Sequence, residues 1–491
     1  MKTNSLDFDA QALREKILDL AMRGKLVEQN PDDEPASVLL EKIKAEKEQL
    51  IKEKKIKKSK ALPPISDDEK PFDIPDSWEW VRLGEIGDYI QRGRSPRYDK
   101  INKIHPIISQ KCIQWNSISL KEAKYITQEF YDKLENHRFV KKDDILWNST
   151  GTGTVGRINI IKENFDNIPV DSHVTLIRTN SNIVSNYIYY FLMSPTIQWN
   201  LNDYLTGTTK QKELGLNSIL KVVIPIPPLE EQSRIAAKIA QLFALLRKVE
   251  SSIQQYTKLQ TLLKSKVLDL AMRGKLVQQD PNDESASVLL EKIKAEKAEL
   301  VKEKKIKRSK PLPPITDDEK PFDIPDSWEW VRLGEIGIWG AGATPSRRHK
   351  EYYENGNIPW LKTGDLNDNI VYDTTEKITK EAVKNSSVKF NKVGNVLIAM
   401  YGATIGKLAI VGKKMTTNQA CCGCQPFNGI YNWYLFFYLL FSRKELIELG
   451  TGGAQPNISK QKIENFYFPV PPLREQKRII KRIEIIFSML K

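Results

Sequence analysis

Three cysteines crowd together as "CCGC" at Cys421, Cys422 and Cys424, and Cys112 stands apart. Thiolates at close spacing can hold zinc, but zinc sites pair two spaced motifs, and neither a second motif nor a nearby histidine accompanies this one. Small buried side chains in a reducing compartment are the expectation, with no metal site. The histidines His105, His137, His173 and His349 are scattered, with no serine or cysteine arranged beside them. No Gly-rich phosphate loop ending in Lys-Ser/Thr occurs, and no Asn-Pro-Pro-aromatic motif of an adenine methyltransferase. "NPDDE" from Asn30 reads as a turn before a helix, and the acidic and lysine residues around Glu53–Lys55 fall in a low-complexity Lys/Glu helix. No residues for catalysis are assigned.

What the chain does offer is charge and hydrogen bonding. Its 491 residues carry a net charge of +14, which favours a polyanionic partner. Ten of those charges lie in two stretches, Glu41–Lys60 and Glu291–Lys310, each with nine cationic residues against four Glu. Such runs serve as solvated helix faces or as direct nucleic-acid contacts. Arg, Lys, Asn and Gln can read base edges in a major groove. The candidates are Arg92, Arg94, Arg97, Gln110, Lys111 and Asn148 in the first half, and Arg347, Arg348, Lys362, Thr363, Asn418 and Gln455 in the second. Two more matches add to them. "NSTGTGTVGRINII" from Asn148 and "IAMYGATIGKLAIV" from Ile398 share Thr154–Gly156 and Thr404–Gly406, followed by Arg157 or Lys407. "TGTTKQKEL" from Thr206 and "GTGGAQPNI" from Gly450 place Gln211 and Gln455 each 17 residues before the same proline. Glycine and threonine beside a basic residue can bring N–H groups to phosphate, and they equally make a tight β-turn.

These residues are held by a repeated framework. Residues 17–87 match 267–337 at all but eleven positions, ending both times in "DSWEWVRLGEIG". "IPIPPLEEQSRIAAKI" from Ile224 repeats as "FPVPPLREQKRIIKRI" from Phe468. Between these segments lie two dissimilar stretches, about 88–221 and 338–465, each long enough for a domain. A constant scaffold holding two variable readers is implied. Proline-rich straps, "KALPPISDDEKPFDIPDSW" and its repeat, link the Lys-rich part to each reader, and Trp78–Trp80 and Trp328–Trp330 begin strand-like alternation.

After Pro228 apolar residues recur at Ile235, Ile239, Leu242, Leu246, Val249, Ile253 and Tyr256, then Leu263, Val267 and Leu270. Spacing that alternates four and three is a coiled-coil seam, either in one helix of ~60 Å or in two shorter core helices with a kink. The chain ends share the register. Ile479, Ile483, Ile486 and Leu490 occupy the places of Ile235, Ile239, Leu242 and Leu246, and Leu6, Ala10, Leu13, Ile17 and Leu20 those of Tyr256 through Leu270. Two antiparallel arms follow, one continuous and one split between the termini. Leu13, Ile17, Leu20, Ile235, Ile239, Leu242, Leu246, Ile253, Ile479, Ile483 and Ile486 are the interface candidates. "YNWYLFFYLLF" from Tyr431 is too short for a bilayer, which needs ~20 residues, and reads with "NYIYYFL" from Asn186 as a core helix. No signal peptide is expected.

The arrangement resembles the specificity subunit of a type I restriction–modification system over essentially the whole chain. The motifs are "LDLAMRGKLV" and "SWEWVRLGEIG" (each twice), "PPLEEQSRI" with "PPLREQKRI", "TPSR" at Thr344–Arg347, "IPWLKTGDL" at Ile358–Leu366, "YGATIGK" at Tyr401–Lys407 and "TTNQACCG" at Thr416–Gly423. The first reader departs most, with "HPIISQKCIQW" in place of "IPWLKTGDL".

The resemblance implies an α+β fold: two α/β target-recognition domains with mixed β-sheet, separated by two long antiparallel coiled-coil arms, pseudo-two-fold symmetric and circularly organised. The expected boundaries are 1–75 for an N-terminal half-arm and linker, 76–228 for the first recognition domain and 229–325 for the central arm and linker. The second recognition domain follows at 326–472 and a C-terminal half-arm at 473–491. The resemblance also implies a non-catalytic subunit that reads two halves of an asymmetric site in double-stranded DNA. Its arms would set the gap and dock two modification subunits, N6-adenine methyltransferases, with restriction subunits that translocate and cut DNA in the same complex. S-adenosylmethionine, ATP and Mg would belong to those partners and no cofactor to this chain, in a bacterial or archaeal cytoplasm without membrane contact. A bifunctional enzyme with a cryptic active site, or a recognition subunit of a related bipartite-site system, are the alternatives. A purely structural coiled coil would leave two large divergent domains without a role.

Overall fold

The repeated lead-in and the repeated closing segment are hydrogen-bonded partners. Strand Glu79–Arg82 pairs antiparallel with Val223–Ile226, and Glu329–Arg332 with Tyr467–Val470. Each divergent stretch therefore leaves the framework and returns to the strand beside its point of departure. The computed structural model describes residues 8–54, 56, 60–163, 165, 167–207, 212–450 and 457–490. It divides into two compact units, one ending at Ile253 and the other beginning at Gln254.

In the first unit the main sheet is antiparallel in the order Gly87–Arg92, Val174–Thr179, Ile145–Asn148, Ile158–Ile160. In the second unit the order Gly337–Ala341, Cys421–Pro426, Val396–Ala399, Leu408–Val411 repeats it, with Asn369–Val371 added in parallel at the edge. A further sheet of four short strands, with parallel and antiparallel pairs, centres on Ile358–Leu361 and Met415–Thr417. Each main sheet is backed by the apolar helix marked in the sequence, Ser185–Met193 or Asn432–Phe441. Both are buried on most faces, as core helices rather than surface ones are. Among the described residues, no helix is long and apolar enough to cross a membrane.

The period of the scaffold becomes one helix, Leu229–Met272, of 44 residues, and not two shorter ones. The division between the units falls inside it. Within the first unit its N-terminal half runs antiparallel to helix Ala10–Met22, with Arg14 paired to Glu250 at 2.5 Å. Within the second its C-terminal half runs antiparallel to helix Leu473–Met489. There Gln260 Nε2 donates to the Leu490 carbonyl at 2.7 Å, and Lys264 lies over the Phe487 ring. The seam residues also pack on the readers. Ile235, Ile239 and Leu246 are buried in one core with the reader helix, and Ile479 and Ile483 are buried in the other. Edge-on ring pairs, Tyr190–Phe243 and Phe437–Phe487, both at 5.9 Å, join each helical pair to its reader. These residues are therefore spent on their own unit. Ile17, Leu20, Leu242, Ile253 and Ile486 are half-buried and Leu13 is exposed. Leu6 lies outside the described residues.

Each proline-rich strap is fastened by one buried arginine. Arg82 donates to the carbonyls of Pro63, Pro64 and Lys221 at 2.8–3.0 Å and forks onto both carboxylate oxygens of Glu69. Arg332 does the same with Pro313, Pro314, Asn465 and Glu319. A planar guanidinium can satisfy five acceptors at once, which lysine cannot. The Lys-rich helices Ala36–Lys52 and Ala286–Lys302 turn Leu39 and Ile43, or Leu289 and Ile293, inward, as a solvated amphipathic helix does. Lys47 is the exception: its ammonium donates to the carbonyls of Gly84, Glu85 and Gly87, and burial lowers its pKa.

The straps make a testable acid dependence. The hydrogen bonds from Arg82 and Arg332 hold the Glu69 and Glu319 carboxylates at about 2, down from 4.5. The stabilisation is complete above the unfolded value of 4.5 and is lost as pH falls toward 2. Glu69→Gln should cost the first unit about 1–3 kcal/mol at neutral pH. It should also flatten the acid limb of a denaturation series run between pH 5 and pH 2. An unchanged acid limb would show that the fork does not hold the strap.

Candidate nucleic-acid interface

The backbone aligns the two readers where their sequences do not. At the end of the first strand, Gly93 N–H donates to the Val174 carbonyl at 3.1 Å and Gly342 N–H to the Cys421 carbonyl at 3.0 Å. One turn earlier on the partner strand, Asp171 N–H donates to the Ile108 carbonyl and Asn418 N–H to that of Leu361. That pairs "HPIISQKC" with "IPWLKTGD". The Ser109 amide faces Cys112 Sγ at 3.4 Å where the Lys362 amide donates to Asp365 Oδ2 at 2.9 Å. The same small loop is closed by a thiol in one reader and a carboxylate in the other. Both glycines are required by close approach: a Cβ on Gly342 would lie 2.2 Å from the Thr417 carbonyl oxygen and 2.3 Å from that of Asn418.

The shared Thr-x-Gly segments are tight turns with the same bonds. Gly156 N–H donates to the Asn148 carbonyl and Gly406 N–H to that of Ala399, both at 2.9 Å. Arg157 and Lys407 N–H return to Thr154 and Thr404. A third loop arrives beside each turn, through Leu214 N–H to the Ser149 carbonyl and Ile458 N–H to that of Met400, both at 2.8 Å. Gln211 and Gln455, the candidates of that loop, lie outside the described residues. Four loops thus converge at one edge of each main sheet: 92–97, 108–114, 149–157 and 171–173 in the first reader, and 341–348, 361–367, 400–407 and 418–420 in the second.

Not every candidate faces outward. Asn148 is fully buried and its amide donates to the Gln110 carbonyl at 3.0 Å, so it ties two loops together and cannot reach a base. Gln110 is half-buried, with Oε1 accepting from the Thr154 hydroxyl at 3.2 Å. Arg92 is pinned inside by Glu213 and by the Leu214 carbonyl at 2.6 Å. Arg347 gives both terminal nitrogens to Glu376, its guanidinium 4.1 Å over the Tyr353 ring. Its fork is thereby occupied, and the hydrogen bond to Arg347 draws Glu376 below the usual carboxylate range. Lys362 joins the same Glu376 at 3.0 Å. Asn418 turns its Oδ1 back to Ala420 N–H, and Thr363 is half-buried.

Arg94, Arg97, Lys111, Arg348 and Lys407 are exposed. Arg94 and Arg97 have only distant carboxylates, Glu135 at 3.7 Å and Glu129 at 3.6 Å. Arg157 is steered by Gln114 Oε1 at 3.2 Å. The cysteines are buried, Cys112 in a turn and the other three in strand Cys421–Pro426, and burial pushes the Cys422 thiol up to about 12. Among the described residues no group of three or more potential ligands could hold a metal ion. Sequence reasoning missed His173, Thr150, Gln419 and Thr344, which border the loops, and Glu376, which holds two of the cations. An alignment anchored on Gly93 and Gly342 would have matched Asp171 to Asn418 and so the short turns on which His173 and Gln419 lie.

Comparison with known proteins places this geometry. A family model described as the type I restriction modification DNA specificity domain matches residues 75–255 and 325–490. The EcoAI type I restriction enzyme specificity subunit of Escherichia coli is 32% identical, over 97% of this chain and 89% of its own length. The EcoEI specificity subunit of the same organism is 31% identical over 98% and 90%. In fold the chain is similar to the HsdS subunit from Thermoanaerobacter tengcongensis, with TM-score 0.51, 21% identity and coverage of 86% and 92%. A chain from a solved type I R-M system, studied for its assembly and conformational transition, gives TM-score 0.58 at 21% identity with the same coverage.

The glycine contact generates a prediction. Gly342→Ala forces a methyl group onto backbone oxygens that have no room to give, so it should destabilise the second unit by about 1–3 kcal/mol. Hydrogen exchange should quicken around 341–343 and 416–422 and stay unchanged in the first unit. Protection unaltered around 416–422 would mean that the approach of the two loops is not tight.

Proposed function

Because the chain belongs to the type I restriction modification DNA specificity family, we propose that its readers, within 76–228 and 326–472, each recognise one half of a bipartite asymmetric DNA site. It is the DNA-recognition subunit of such a system and non-catalytic. The observation that carries the two-reader reading is the contrast within the sheet edges: the same backbone bonds recur in both readers while the outward side chains differ. Loops with constant geometry and variable side chains are what two different half-sites require.

Arg97, Lys111 and Arg157 in the first reader, and Arg348 and Lys407 in the second, supply the charged contacts to base edges and phosphates. Thr154, Thr404 and Thr363 belong to the same surfaces, and Gln211 and Gln455 are kept as contacts on their sequence match alone. Asn148 and Arg92 shape them from behind, and the exposed Arg347 contributes with its guanidinium held by Glu376. The segments 1–75, 229–325 and 473–491 set the separation of the half-sites and dock two modification subunits. Leu259 and Leu262, 57% and 64% exposed on the central helix, suit that docking better than the buried seam does. Methylation of adenine N6 with S-adenosylmethionine, and translocation with ATP and Mg, belong to the modification and restriction partners. The complex works in the cytoplasm, in defence against foreign DNA.

Exchange of residues 88–221 for the matching stretch of a relative tests the reading. Methylation-sensitive sequencing of the host should show one half of the target changed and the other half and the gap kept. Changes in both halves would refute independent readers. Binding by the assembled complex should weaken with salt, at a log–log slope of about −0.9 per neutralised phosphate. Leu262→Glu should release the modification subunits, seen as a smaller complex by sedimentation, without unfolding the chain.

A further inference from the structure

In both readers the strand that follows the converging loops is entered by the same short turn. Asp171 Oδ1 accepts from His173 N–H at 2.9 Å, and Asn418 Oδ1 accepts from Ala420 N–H at 3.2 Å. Val174 N–H and Cys421 N–H close back on the carbonyls of Asp171 and Asn418. These are Asx turns, built by the side chain of their first residue. Asp171 is itself buried, and burial raises its pKa, so it serves the turn and not the surface.

Each turn displays one exposed side chain that a threonine from a neighbouring loop holds. In the first reader His173 Nδ1 shares a hydrogen bond of 2.6 Å with the Thr150 hydroxyl. The His173 carbonyl also accepts from Ser149 N–H at 2.9 Å, so ring and backbone are both fixed. In the second reader the Thr344 hydroxyl donates to Gln419 Oε1. In each case the engaged atom leaves a nitrogen outward, Nε2 of the imidazole or Nε2 of the amide. Neither residue has a packing role: His173 and Gln419 are exposed, and the position equivalent to His173 is the buried Ala420. A surface side chain normally keeps its rotamer freedom, and holding it still lowers the cost of ordering it on a ligand.

We propose that His173 and Gln419 are DNA contacts of the two readers, each presenting Nε2 as a donor from an Asx turn, with Gln419 held by the Thr344 hydroxyl and His173 by the Thr150 hydroxyl donating to Nδ1. The acceptor is an oxygen or ring nitrogen of the duplex, on a base edge or on a phosphate, and the two sources give different outcomes. The inference rests on the DNA-recognition reading above.

The test uses the complex assembled with its modification subunits. Binding to a duplex carrying the methylated motif is measured by anisotropy over a salt series, and the motif is mapped in the host. His173→Ala and Gln419→Ala should each weaken binding roughly tenfold, and Thr150→Val and Thr344→Val by a smaller factor. Because the Gln419 amide carries no charge, the salt slope of Gln419→Ala should not change, unlike removal of Lys111 or Lys407. His173→Gln, whose amide nitrogen can take the place of Nε2, should recover most of the loss. A base contact relaxes the motif at one position, in the first half-site for His173 and the second for Gln419. A phosphate contact weakens all sites evenly and leaves the motif intact. If the wild-type complex methylates a bipartite sequence, and both alanine variants bind within about twofold of it with an unchanged motif, the proposal is overturned and the DNA-recognition reading stands. If the wild-type complex methylates no bipartite sequence, that reading fails and this one with it.

Discussion

A carboxylate out of water is the constraint on which each unit is built. Glu231 is buried at the start of the central helix, where its two oxygens accept from the Trp78 indole at 3.0 Å and the Gln29 amide at 2.5 Å. Glu475 meets Trp328 and Gln279 in the same way. Burial raises the pKa of both, so their charge is tolerated only while these donors stay in place. The neighbouring residues close the set. Gln232 accepts from Val184 N–H at the head of the reader helix and donates to the Pro227 carbonyl; Gln476 accepts from Tyr431 N–H and donates to the carbonyls of Gly429 and Pro471. Arg234 and Arg478 reach the buried Asp33 and Asp283 at 2.6 and 2.7 Å. Every polar letter shared by "PPLEEQSRI" and "PPLREQKRI" thus has its partner in another segment of the framework or reader. Replacing one strands another in the core, which costs more than the bond itself. That is a physical reason for the framework to be written twice almost unchanged.

The readers obey a looser rule. Their loops are fixed by backbone bonds, which accept any side chain that fits. Cys112 and Asp365 close the same turn with different chemistry. In the first unit Asn159 donates to the Gln114 carbonyl, while in the second Asp368 takes Leu408 N–H and is paired with Arg443. Side chains can diverge there because the sheet edge, not the loop sequence, holds the position. Variation is confined where it changes what is presented and excluded where it would change how the chain folds.

What the sequence revealed follows the same division. The repeats, the 44-residue helix and the apolar core helices were readable because periodicity and identity report burial directly. The equivalence of "HPIISQKC" and "IPWLKTGD" was hidden because the bonds that align them come from main-chain atoms. Residue type suggested Asn148 and Arg347 as base contacts, yet type does not report direction. One is sealed behind the loops and the other has spent its fork on Glu376. The seam was found by its period, but period alone could not say that Ile235 and Ile479 would meet a reader helix as well as an arm.

Several candidate cations of the reader loops are paired with carboxylates, and this bears on how the proposed surface would discriminate. Arg94 has Glu135 within 3.7 Å, Arg97 has Glu129 within 3.6 Å, and Lys362 shares Glu376 with Arg347. An exposed pair of this kind is worth ~0–1 kcal/mol, so exchanging a carboxylate for a phosphate costs little. It also gains less than a bare cation would, because the displaced carboxylate must be kept away from the backbone it competes with. On the proposed reading, sites lined in this way would hold non-specific DNA weakly. The energy that separates the right sequence from the wrong one must then come from uncharged groups at the loop edges, whose hydrogen bonds are made only when geometry and base agree. On the proposed reading, a net charge of +14 would draw the duplex in, and the carboxylates among the reader loops would keep that attraction from deciding the outcome.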